Sequence, residues 1–421
     1  MKKRTVFWGI LTACTLLFAA CGGEAGQSVS SAVSGADSAK TETASEPAQD
    51  KSQDEASTAV SGYEEDLTIG EENREVEPID INIVFSCWGY ADSLSMGYQK
   101  ALNSISKGLL TLEQPVRVNW EWISCYSPEE ELTAMEAIHA KGIDGAILLY
   151  LSEAVIDNLT SWEIPFAGYT TYTEEVEAYA QKSPYYVGTI HEAIPDQAER
   201  QIRYAIETLG RKEILIVGSE PGQTMVDIRF PRYEAVEAEH PEIAFYTNRS
   251  DEILSDVVNN MLSMHPDIDC IIDTSALGGR GDSIVQALRT NGLGHGEIAY
   301  ITCDFVDDQV QAMEDGLLVF TSSGTQGSVT HAFVALLNEI MDTPLYDNPA
   351  VWEWGFVDIV TVEDYDNFNK YCIGRVPLIS FEEYEPFFKW IHPEADGAAF
   401  SALCENLELD TIMEKHAKYF E

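Results

Sequence analysis

Residues 298–326 read IAYITCDFVDDQVQAMEDGLLVFTSSGTQ, and the reading of this stretch decides the fold. An apolar, β-rich run from Ile298 to Cys303 stops at Asp304, which puts a carboxylate just past the carboxyl end of a strand. Open α/β sheets bind their ligands at such strand ends. A helical segment follows, with Val310 and Met313 on one face, Asp307 and Asp308 as acidic caps and Gly316 as its stop. Leu317 to Thr321 is a second strand, and small polar residues then run to Gln326.

The same alternation extends towards the N-terminus. Ile81–Ser86, Val116–Ile123, Ile143–Tyr150 and Pro165–Tyr169 read as strands, with helices at Leu94–Leu102 and at Glu129–His139, the latter capped by Ser127-Pro128. A second series begins at Tyr185–Thr189 and continues through strands at Glu213–Val217, Ala244–Thr247 and Cys270–Asp273, each followed by a helical pattern. Strands alternating with helices predict parallel sheets wound by right-handed crossovers. Because the series occurs twice, the expected fold class is α/β, with two doubly wound parallel-sheet lobes joined by a hinge.

Composition narrows the partners. The 421 residues carry 25 Lys and Arg against 71 Asp and Glu, a formal charge of −46 that argues against nucleic acid or an anionic membrane surface. No Cys or Cys/His spacing matches a zinc site, so neither metal nor cofactor is expected. Cys87 and Cys125 follow strands that can be neighbours, which leaves a disulfide open, but free buried thiols are expected in a chain of this size.

Lys2, Lys3 and Arg4 precede an apolar run from Val6 to Ala20, too short to span a bilayer and characteristic of a secretory signal. Leu17-Phe18-Ala19-Ala20-Cys21 resembles the bacterial lipobox, which implies lipidation of Cys21 and residence on the outer face of the cell membrane. Residues 21–78 are rich in Ser, Ala, Gly and acids, with no Phe or Trp, and read as a disordered acidic tether.

The segment 298–326, with Gly97 and Gln99 to Ala101 in the first lobe and Val187-Gly188 at the junction, resembles the sugar-binding proteins of the ribose-binding type, receptors of ABC importers. The resemblance covers roughly Ile79 to Tyr371. It implies a first lobe of residues 79–186 plus 304–325 and a second of 187–303 plus 326–421 with an aromatic-rich tail. It also implies a set of ligand-binding residues. Trp88 and Tyr90 follow the first strand, where an aromatic face stacks on a sugar ring. Tyr169 and Thr170 stand at the end of the fourth strand, where the Asp-Arg pair of relatives falls on Thr170 and Thr171, and His191 falls on an amide position at the crossing. Arg229 matches a ring-oxygen ligand, for which a planar guanidinium is suited. Thr274, Ser275 and Asp304 match polar strand-end positions, and Gln326 stands near a displaced Gln.

Four of these have a plainer alternative. Trp88 could pack between helices, His191 serve as a structural hydrogen bonder, Arg229 pair with Asp227, and Asp304 cap a helix. The expected function is a monomeric, non-enzymatic receptor that closes over a small sugar and presents it to a membrane permease. Rival expectations are a receptor for a nucleoside or signalling molecule, or an extracellular carbohydrate-active enzyme.

Overall fold

The computed structural model describes residues 66–421, except residues 91, 92, 170–172, 223, 251, 295 and 406 and the side chains of 224 and 225. The signal segment, Cys21, most of the expected tether and Thr170 therefore lie outside the described residues.

The chain runs β1 (Ile79–Cys87), α1 (Ser93–Leu109), β2 (Val116–Ser124), α2 (Pro128–His139), β3 (Gly145–Leu148), α3 (Glu153–Ser161), β4 (Phe166–Tyr169), α4 (Glu174–Ala180) and β5 (Tyr186–Glu192). It continues through α5 (Ile194–Arg203), β6 (Glu213–Gly218), α6 (Thr224–Asp227), α7 (Phe230–Glu239), β7 (Ala244–Arg249), α8 (Leu254–Met264), β8 (Cys270–Asp273) and α9 (Arg280–Thr290). Then come β9 (Ala299–Ile301), α10 (Gln309–Glu314), β10 (Leu318–Ser323), α11 (Ser328–Ile340), β11 (Ala350–Trp354) and β12 (Val357–Ile359). Two six-stranded sheets result, ordered β11-β5-β4-β3-β1-β2 and β12-β10-β9-β8-β6-β7. The first is parallel throughout, and the second is parallel except where β12 runs antiparallel to β10. Helices cover both faces, so the central strands are buried on both sides and read as continuous apolar runs, as in Ile83 to Phe85.

The two expected lobes are present, but their boundaries differ from expectation. Residues 304–325 do not return to the first lobe: β10 pairs with β9 in the second sheet, and the chain crosses only afterwards. Residues 326–354 belong to the first lobe, where α11 packs on its sheet and β11 extends it. Part of the aromatic tail likewise covers the first lobe, while β12 joins the second sheet and Tyr365 and Phe368 pack edge-on against Phe305 of the second lobe. Phe400 stacks on His331 of α11 at 3.7 Å, and Asn338 donates to the Phe387 carbonyl at 3.0 Å. The reason is α11 itself, whose residues from Ser328 to Asn338 are buried all round and therefore need cover on the side away from the sheet. The folded body also starts earlier than Ile79, because Asn73 donates to the carbonyls of Leu112 and Glu113 beyond α1 and Leu67 N–H donates to Arg375.

Among the described residues the lobes are joined at Ala193, at 324–327 and at 355–356. Trp354 fastens all three. Its carbonyl accepts from Ala193 N–H at 2.9 Å and its indole N–H donates to the Gly324 carbonyl at 3.0 Å. At Gly327 a Cβ would come within 2.8 Å of the same indole.

Gly188 has a related role at the sheet edge. With φ at 145°, its Cβ position lies 2.1 Å from the Ala350 carbonyl oxygen, so the β5–β11 pairing needs glycine. Gly188→Ala should cost about 2 kcal/mol through strain and displacement of β11. Urea unfolding reads this directly, and an unchanged midpoint would refute it.

Candidate functional site

The carboxyl ends of both sheets face one cavity of about 300 Å³. From the first lobe come Trp88 just past β1, Leu94 on α1 and Glu192 at the end of β5. The second lobe supplies Arg229 ahead of α7, Thr274 and Ser275 after β8, Arg280 at the start of α9, and Asp304 after β9. Thr325 and Phe356 come from two of the crossings. A larger cavity of about 790 Å³ lies among the crossings, lined by Asp196, Asp358, Asp364, Glu405 and Glu408 with Arg200. The smaller cavity is the candidate site, since buried polar groups of both lobes converge there.

Asp304 has a left-handed backbone, with φ at 66° in a residue only 8% exposed. Such a conformation persists where surroundings over-determine it and is a mark of functional sites. Here the Asp304 N–H donates to the Ser322 carbonyl at 2.8 Å, the Thr321 hydroxyl donates to the Asp304 carbonyl, and Ser275 Oγ donates to Oδ2 at 3.1 Å. The side chain is thus aimed by β10 and by the turn after β8. Capping is not its role, because α10 has Asp308 at its N-cap position, where that carboxylate pairs with Arg289.

Arg229 is 4% exposed and closes the turn leading into α7, its carbonyl accepting from Tyr233 N–H at 3.2 Å. Asp227, the alternative partner considered above, pairs with Arg249 instead. Arg280 donates to Asp273 at 3.0 Å, yet burial outweighs this ion pair and pushes the Asp273 carboxyl up to about 6. Glu192 is pushed up to about 7, first by burial and then by the neighbouring Asp304, against the opposing pull of Arg229 and a hydrogen bond from Tyr98. Two buried atoms, Glu192 Oε1 and Thr274 Oγ1, have no hydrogen-bond partner among the described residues. Buried groups left so are costly, and a ligand can satisfy them.

Of the residues expected from sequence, Trp88, Arg229, Thr274, Ser275 and Asp304 line this cavity. Tyr169 does not. It is fully buried inside the first lobe, stacked on Phe85 at 5.1 Å with its hydroxyl donating to the Ser86 carbonyl at 2.6 Å. Tyr90 points away to the β2 edge, donating to the Trp122 carbonyl at 3.0 Å. His191 sits half-buried on β5 opposite Glu353, and the next residue, Glu192, takes the cavity position. Gln326 packs against Gly97, leaving Thr325 to face the cavity. Sequence reasoning missed Glu192 and Arg280. The first stands at a strand's carboxyl end, a signal within reach, whereas the second opens a helix and reaches the cavity only through the packing of α9.

Cys87 and Cys125 are buried thiols with no disulfide between them, adjacent because β1 and β2 are paired. Burial pushes the Cys125 thiol up to about 12.

No protein-family model and no curated protein matches the sequence. Solved structures do. A periplasmic solute-binding protein of an ABC transporter from Actinobacillus succinogenes, with bound D-allose, superposes with a TM-score of 0.57 at 15% identity, over 68% of this chain and 99% of that one. The fold is that of the type I periplasmic binding proteins. The arabinose-binding AraP of Geobacillus stearothermophilus gives 0.56 at 14% identity, over 69% and 99%. GanP, a glucose-galactose binding protein from the same organism, gives 0.53 at 16% identity, over 67% and 97%. These neighbours align along nearly their whole length, so both lobes of that fold are represented here.

Proposed function

We propose that this chain is a solute-binding receptor that closes over one small sugar and delivers it to an ABC importer. The observation that carries the reading is the convergence of Trp88 from one lobe with Arg229, Thr274, Ser275 and Asp304 from the other on a single small cavity. A ring with a C–H face and several hydroxyls suits such walls: the indole covers the face while the polar groups exchange hydrogen bonds with the rim. A cavity of about 300 Å³ lies at the small end of ligand sites, which favours a single ring over an oligosaccharide. Because the ligand touches both lobes only when they are together, its differential affinity drives closure and no covalent step is needed. The sugars named for its structural neighbours point the same way. Lipidation at Cys21 would hold the receptor at the outer face of the membrane, beside its permease.

A thermal-shift panel of monosaccharides, oligosaccharides, nucleosides and amino acids tests this on the protein from residue 66 onward. A monosaccharide at about a hundred times its Kd should add about 2.7 kcal/mol of stability. Asp304→Ala should remove that gain. Stabilisation by nucleosides or amino acids alone would refute the sugar assignment, and chemical alteration of the bound sugar would refute a receptor.

A further inference from the structure

Glu192 ends β5 immediately before the first crossing and looks into the cavity, with Oε1 lacking a hydrogen-bond partner among the described residues. The groups facing it are Tyr98 from α1, Arg229 ahead of α7, and Cys303 and Asp304 after β9. Across the cavity stands Arg280, already paired with Asp273, and the strand neighbour Trp354 brings no charge. One guanidinium, Arg229, is thus set against two carboxylates, Glu192 and Asp304. In open water the excess is screened, but a closed cleft removes that water and a neutral sugar supplies no countercharge. One proton restores the balance. It also turns Glu192 into a group that both donates and accepts, as a sugar hydroxyl requires of a partner.

Resting on the sugar reading above, we propose that Glu192 contacts the ligand directly and that capture of a neutral sugar takes up one proton at this side chain. Burial and the nearby Asp304 already hold this carboxyl near neutrality, and the closed, dry cleft must raise it well beyond the tested range for a whole proton to be taken up near pH 8. Asp273, at about 6, is largely ionised before the relevant range begins.

Isothermal titration decides the matter. Whichever of D-glucose, D-galactose, D-allose, D-ribose and L-arabinose stabilises the protein most is titrated at pH 7.0 to 9.0, in buffers of differing ionisation enthalpy. The slope of observed enthalpy against that ionisation enthalpy should give uptake of about one proton near pH 8, and Kd should weaken about tenfold per pH unit above it. Glu192→Gln should bind with no proton uptake and a Kd independent of pH over this range. Sugar binding without proton uptake in the wild-type protein, or a pH dependence that survives in the variant, overturns the proposal while leaving the receptor intact. If none of the five sugars binds at pH 6.0 either, the sugar reading falls and this proposal falls with it.

Discussion

Arg229→Ala should weaken sugar binding by about thirtyfold or more while leaving the protein folded. The guanidinium is 4% exposed, lines the cavity, and is the cation there that stands against Glu192 and Asp304. Its removal deletes a ligand contact and also leaves two carboxylates facing each other as the cleft closes. Truncating one member of a buried, hydrogen-bonded charge set costs about 2–5 kcal/mol, and each 1.4 kcal/mol is about tenfold in Kd. Arg229→Lys should fall between: it keeps the charge but loses the planar fork that holds two acceptors at once. The carboxyl of Glu192 should respond as well. Arg229 holds it down, so in the alanine variant it should keep its proton to higher pH, and the residual binding should begin to weaken only at correspondingly higher pH. Calorimetry of both variants across pH checks each step, and wild-type affinity in Arg229→Ala would show that the ligand lies elsewhere.

Most of this site could be reached from sequence because of one regularity. In doubly wound sheets ligands meet the carboxyl ends of strands, so a polar residue placed there is a candidate before any coordinates exist. Trp88, Thr274, Ser275 and Asp304 all obey it. The failures share a different cause. Tyr169 ends a strand whose four residues are all buried, and when both faces of a sheet are covered, alternation no longer tells cleft from core. His191 and Gln326 each miss by one residue. On a strand a shift of one reverses the side-chain direction, and in the short turn at Thr325–Gly327 it moves the side chain to another face, so a loose resemblance cannot resolve the register.

The lobe boundaries failed for a topological reason. β9, α10 and β10 form one local parallel unit, and local pattern carries no information about which side of a hinge its last strand occupies. The crossing that follows is marked by Gly324, with φ at 109°, and by the close approach of Gly327 to Trp354. Both are visible as glycines in sequence, yet their reason is a tryptophan far along the chain. Glu192 and Arg280 were obscured similarly, since their importance comes from neighbours on other elements.

Glu131→Ala should cost about 4 kcal/mol of folding stability although this residue lies outside the cavity. Its carboxylate, fully buried on α2, accepts from the backbone N–H groups of Leu149 at 3.0 Å, Tyr150 at 3.2 Å and Leu151 at 3.0 Å, and from the Ser86 hydroxyl at 2.5 Å. These bonds hold the loop after β3, where Leu151 has a positive φ of 41°, and through Ser86 they reach the strand that carries Trp88. Alanine takes the acceptor from the N–H groups of Tyr150 and Leu151, whereas the Leu149 N–H keeps Ser86 Oγ at 2.8 Å, and the cost is about 1–3 kcal/mol for each donor that water cannot reach. Glu131→Gln keeps the shape but turns one acceptor into a donor facing other donors, so it should recover only part of the loss. Burial outweighs the hydrogen bonds and holds this carboxyl above its ordinary 4.5, so between that value and its folded one the native protein binds more protons than the unfolded chain. The carboxyl's contribution therefore falls as pH rises through that window, and the gap between wild type and Glu131→Gln should narrow. Urea unfolding at pH 5 and pH 8 measures both effects. A loss under 1 kcal/mol for Glu131→Ala would mean that water reaches the loop, and Trp88 would then owe its position to Ser124 and Tyr150, the other groups that hold it.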